Sequence, residues 1–207
     1  MANTTFSGPV RSKGGFTSIS ENASTGAITT LSSISSTGVA SFDANTLTTE
    51  AGTGITGGIG TVYKSSVQRV GGVITTTIFI DLTGLRSTAS GDIIGVNGTS
   101  NPCHIGQITA AQNGTIIAGS MECFEAPTGG DPDINVHSAT EGTGVEDGAI
   151  SSLTETLLVN SGDATLGSKV FFTAFPAADE FLYLTLGATT DADYTAGKLL
   201  ITLIGTA

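Results

Sequence analysis

The residues best equipped for chemistry fall within one stretch of this chain: Cys103 and His104, then Cys123, then His137. Thiolates and imidazoles are the ligands of structural zinc, which takes four converging donors and usually includes a close-spaced pair. Cys103 and His104 are adjacent in a segment that reads as a strand, and adjacent strand residues point to opposite faces. They are therefore poorly placed to hold one ion. The two cysteines lie about ten residues either side of Asn113-Gly114, a turn dipeptide, so pairing across a hairpin is geometrically open. Two buried thiols are the expectation for a protein assembled in the cytosol.

The acids offer less. Asp131 and Asp133 follow Gly129-Gly130, Glu141, Glu146 and Asp147 come soon after, and Asp191 and Asp193 form a second group. Oxygen ligands on glycine-rich loops suit Ca²⁺, but neither segment has an EF-hand pattern, and Asx-turns in solvated loops explain both. A glycosidase needs two carboxylates in a cleft. The strand-borne acids Asp81, Glu122, Glu125 and Glu155 lack an aromatic platform for sugar, with no Trp and three Tyr in the chain. There is no G-x-S-x-G nucleophile motif. No metal, no cofactor and no enzymatic activity are expected.

The elements that would carry these residues read as strands. Thr61–Arg69 and Val73–Leu82 are β-branched or alternating, and Gly71-Gly72 between them suits a two-residue hairpin. Further strands are predicted at Asp92–Val96, Cys103–Ala110, Thr115–Phe124, Asn135–Ala139, Thr154–Val159, Lys169–Phe175, Phe181–Leu186 and Leu199–Gly205. Helix is scarce, with Ala177–Glu180 as a possible single turn. Many short strands between Gly, Asp, Asn and Pro predict an all-β fold. A jelly-roll-like β-sandwich fits the strand density, and an immunoglobulin-like sandwich stays open.

Residues 1–60 differ from the body, 61–207. Ser24-Thr-Gly-Ala-Ile-Thr29, Ser36-Thr-Gly-Val-Ala-Ser41 and Gly52-Thr-Gly-Ile-Thr56 each read as a Thr-Gly turn followed by a short strand. Units this short bury too little to stand alone. They predict an extended N-terminal arm carrying short β-turn repeats, docked on another surface or wound with its own copies.

Composition gives the same message. Only 12% of the 207 residues are Asp, Glu, Lys or Arg, about half the roughly 25% usual for soluble domains. Ser, Thr and 29 Gly supply the polarity. So little charge leaves apolar surface for neighbours to cover, which points to assembly. The net charge of −11 disfavours a nucleic-acid partner, which needs clustered Lys and Arg. No apolar run reaches the length of a membrane helix, and the first residues lack a signal-peptide pattern, so synthesis in the cytoplasm is expected.

Several stretches together carry a resemblance: residues 1–16 (Met1-Ala-Asn-Thr-Thr-Phe6 onward), Asn101-Pro-Cys-His-Ile-Gly-Gln107, Gly130-Asp-Pro-Asp-Ile134, Ser138-Ala-Thr-Glu-Gly-Thr-Gly-Val145 and the tail from Asp193 to Ala207. Taken together they resemble virion structural proteins of tailed bacteriophages, notably marine phages of cyanobacteria and pelagic bacteria. That resemblance implies a head decoration, or cement, protein on the capsid surface, with the major capsid protein as partner. It also implies a homotrimer, as decoration proteins often sit at threefold positions. A tail, fibre or adhesin component is the alternative. The expected contact set is Phe6, Val10, Arg11, Lys13 and Phe16, an arm able to add strands to a neighbour.

Overall fold

The computed structural model describes residues 16–21, 28–34, 40–42 and 49–207. The chain divides into two compact units, Met1–Thr46 and Leu47–Ala207. In the first, β1 (Phe16–Glu21), β2 (Ile28–Ile34) and β3 (Ala40–Phe42) form an antiparallel sheet in that order. Phe16 stands opposite Ile34, and the β1–β2 register shifts between Ser18 and Ile19.

The second unit begins before the boundary expected from sequence. Residues 49–60 pack with the body, because Gly52-Thr-Gly-Ile-Thr56 is a helical turn, α1 (Thr53–Thr56), and not a third β-turn repeat. Ile55 is fully buried in the core. A Cβ on Gly52 would lie 2.1 Å from the Pro102 carbonyl oxygen, and one on Gly54 would lie 2.4 Å from Cys103 Sγ. Those glycines serve close approach to the neighbouring chain.

Two antiparallel sheets build this all-β unit. One contains β4 (Val62–Val70), β5 (Val73–Asp81), β8 (Thr115–Thr128), β11 (Lys169–Phe171) and β14 (Ala196–Thr206), in the order β11-β8-β14-β5-β4. The other contains β7 (Gly106–Gln107), β9 (Ile134–Ala139), β10 (Glu155–Val159) and β12 (Phe181–Leu186), in the order β10-β9-β12-β7. A small ribbon pairs β6 (Arg86–Ser87) with β13 (Ala192–Asp193). The hairpin at Gly71-Gly72 forms as expected, with Val70 opposite Val73 and Gly71 at φ 60°.

Asn113-Gly114 is not a hairpin turn. Thr109 caps a helical turn, α2 (Ala110–Asn113), its side chain accepting from the Gln112 N–H. Asn113 is buried there, donating to Thr76 Oγ1 at 2.8 Å and accepting from the Thr109 N–H at 2.8 Å. The chain crosses between sheets at this point, so the segments before and after it never pair.

The core lies between the sheets. Strand alternation supplies it: Ile74, Ile78 and Ile80 from β5, and Leu199, Ile201 and Leu203 from β14, are all fully buried. All but Ile74 belong to one core cluster with Ile134 and Val136 from β9 and Leu182, Leu184 and Leu186 from β12. Burying such a side chain contributes about 1.5–3 kcal/mol, and six do so from β5 and β14 alone.

Candidate interaction surface

The two sheets differ in their outer faces. All six residues of β9 and five of six in β12 are buried, so the two central strands of the four-stranded sheet are covered on both sides, while its edge strand β10 exposes Glu155, Thr156 and Leu157. Part of the cover is the chain following β9. Tyr183 Oη donates to the Glu141 carbonyl at 2.7 Å and accepts from the Gly144 N–H at 3.2 Å. A Cβ on Gly144 would meet Ile93, Tyr183 and Leu153 within 3.0 Å. His104 packs against Phe181 with ring centroids 5.0 Å apart.

The five-stranded sheet is bare by comparison. β5 and β14 alternate strictly between buried and half-exposed residues. Register places the outward side chains in rows across the strands. The central row is Ser66, Thr77, Thr202, Ser120 and Phe171, with Ser66 Oγ and Thr77 Oγ1 2.6 Å apart. On one side of it lie Gln68, Thr75, Ile204 and Ala118, then Val70, Val73, Thr206 and Thr115. On the other lie Lys64, Phe79, Leu200, Glu122 and Lys169, then Val62, Asp81, Lys198 and Glu125. Exposed apolar residues gather on these strands, including Val70 at 78% and Phe171 at 67% exposure.

Charge on this face is balanced. Lys169 pairs with Glu122, while Lys198 pairs with Glu125 and stands 3.8 Å from Asp81. The bond to Glu125, with Asp81 nearby, holds the Lys198 ammonium above its ordinary pKa. Three of the five basic residues from Leu47 onward stand here against three acids, Asp81, Glu122 and Glu125. The other thirteen acids of the unit lie elsewhere and have only Arg69 and Arg86 for company. The face is an uncharged hydroxyl-and-aliphatic field with two ion pairs and the exposed Lys64 at one end.

The groups singled out for chemistry are dispersed. Cys103 and Cys123 are free and buried. Cys103 Sγ donates to the Asn101 carbonyl and Cys123 Sγ to the Glu125 carbonyl. Burial pushes the Cys103 thiol up to about 12. His137 Nδ1 lies 2.9 Å from Thr185 Oγ1, on the covered side of the other sheet. Among the described residues no three His, Cys, Asp or Glu side chains are grouped to hold a metal ion. A surface depression of about 570 Å³ is lined by Arg86, Asn97, Glu146 and Asp191 among others. Its Arg86 is engaged by Asp191 at 2.7 Å and Asp193 at 2.8 Å.

Of the expected contact set, Phe6, Val10, Arg11 and Lys13 lie outside the described residues, and Phe16 is the first residue of β1. The open sheet face was not singled out from sequence. Its signal was present in Thr75 and Thr77 alternating with Ile74, Thr76 and Ile78, and in the alternation of 198–206, but only the register across five strands joins these into one surface. No helix among the described residues is long and apolar enough to cross a membrane. No family model matches the chain, and neither the curated proteins nor the solved structures searched gave a match.

Proposed function

We propose that this chain is a structural virion protein of a tailed bacteriophage, a head decoration protein that binds the outer capsid surface and bridges capsomers. The observation that carries the reading is the bare, charge-balanced face on a sandwich whose other sheet is covered on both sides at its central strands. A protein with such a face works by contact between surfaces. The resemblance in sequence supplies the kind of particle, with the major capsid protein and copies of the chain itself as partners.

We read the body as a jelly roll. If β5, β7, β8, β9, β10, β11, β12 and β14 are counted one to eight, the sheets run 6-3-8-1 and 5-4-7-2, with β4 added beside the first strand. That is the order produced by folding a long hairpin over into two Greek keys, an architecture common in capsid and lectin domains. The separate β1–β2–β3 sheet is then a second contact module. Its short strands, following the Ser-Thr-Gly stretches, are the feature that favours the alternative reading, a fibre or adhesin component of the tail.

Localising the chain in the particle tests the proposal. A decoration protein is present in hundreds of copies over the head, and stripping it lowers the temperature at which heads release DNA. Labelling confined to the tail overturns the decoration reading in favour of the alternative.

A further inference from the structure

We propose that the outer face of the five-stranded sheet is where two copies of this chain associate, each laying this face against the same face of the other. The inference rests on the self-partner in the reading above and is independent of the capsid.

Charge distribution selects the occupant. Two copies each carrying −11 repel over most approaches, and the acids outside this face have only Arg69 and Arg86 against them. Placing the face against the acid-rich surfaces of a copy would set its apolar rows against solvated carboxylates, although Ile59 and Leu166 show that some apolar surface lies elsewhere. Face against face avoids this: Thr77, Thr202, Ser120, Ile204 and Phe171 carry no charge, and Lys169 and Lys198 are already paired with Glu122 and Glu125. Such a contact is isologous and closes at two copies. A threefold ring of the kind the resemblance implies is heterologous and would instead need this face to meet a different surface of its neighbour.

Size agrees. With strands about 4.8 Å apart and about 3.4 Å per residue, four strands of roughly nine residues span about 19 by 30 Å, and the three-residue β11 adds a little at one edge. That is roughly 600 Å², at the lower end of the range for one side of a standard stable interface. Twisted sheets pack face to face at about −30°, and hydroxyls in the central row can exchange hydrogen bonds across such a contact, which satisfies groups that burial would otherwise leave unpaired.

Thr202, on the central strand in the central row, falls near the twofold axis and meets its own copy. The experiment uses the full chain in sedimentation velocity at micromolar concentration. The wild type is expected to be dimeric, more strongly so as salt screens the acids. T202K and T202E are each expected to be monomeric with unchanged circular dichroism, and their equimolar mixture to recover the dimer. If either variant fails to fold, T77K and T77E replace it. A monomeric wild type overturns the inference, as do variants that associate like the wild type or a mixture that stays monomeric. Each of these outcomes leaves capsid binding to be judged by its own assay.

Discussion

Neighbouring residues Ile201 and Leu200 offer a direct measurement of which side of the sheet is core and which is free. Ile201 is fully buried, opposite Ile78 on β5 and Met121 on β8, both themselves buried. β14 is hydrogen-bonded on both edges, so neighbouring strands are poorly placed to collapse into the space left by Ile201→Ala. Isoleucine-to-alanine changes in cores cost about 2–5 kcal/mol, depending on how far the site relaxes; we expect about 3–4 here. For a unit of this size, each kcal/mol lowers Tm by about 2–4 °C, giving a drop of roughly 6–15 °C. Leu200 faces outward and is half-buried. In dilute protein Leu200→Ala should cost about 1 kcal/mol or less, in proportion to the smaller area it removes from water. Melts followed by circular dichroism at submicromolar protein separate the two. At high concentration the wild type should gain stability by mass action, and Leu200→Ala should lose that gain. Equal costs at dilution would refute the open face. A cost below about 1 kcal/mol for Ile201→Ala would refute the assignment of the core.

Other expectations follow from buried polar groups. Burial pushes His104 below its ordinary pKa; burial does the same for His137, against the pull of Glu155. The fold therefore favours both neutral forms. Their contribution is intact above the unfolded value of about 6.5 and is lost as pH falls through the lower folded values. Tm of His104→Phe/His137→Gln should fall less than wild type between pH 7.5 and 5; a parallel profile would remove these residues as the cause. Asp133 and Glu146, both pushed up by burial, act in the opposite direction, so the difference between proteins is the readout. Asn113→Ala strands the Thr109 N–H and the Thr76 hydroxyl and should cost about 2–3 kcal/mol in urea unfolding; a neutral result would mean water replaces the amide. Cys103 and Cys123 should resist alkylation at pH 8 until the protein unfolds, and labelling as fast as a free thiol would refute their burial.

How far the sequence speaks depends on the range of the interaction. The β4–β5 hairpin was legible because Gly71-Gly72 and the β-branched run 73–81 act locally. The long β14 was legible from alternation, although its start at Ala196 and the full span of β8 to Thr128 were not, because pairing with β14 extends β8 beyond its own pattern. Asn113-Gly114 misled because the same dipeptide that suits a hairpin also ends a helical turn, and Thr109 decides between them. Gly52–Thr56 misled for a related reason: its glycines answer to Pro102 and Cys103, residues remote in sequence. Segments 92–96 and 103–110 were expected as strands, yet the first makes single bridges to Ala149, Thr185 and Arg86, and the second a two-residue pair with β12. The open face lies at the far end of this scale, since no one segment contains it.

The position of β14 has a consequence for the making of the protein. It lies between β5 and β8 and bonds to both over most of its length. Before residues 196–206 are available, those two strands have no partner between them, and each presents an unfilled edge. The sandwich therefore cannot close progressively as the chain leaves the ribosome; it waits for its late strand. During that wait, a β14 from another copy fits the same gap, so crowded synthesis carries a risk of exchanging this strand between chains.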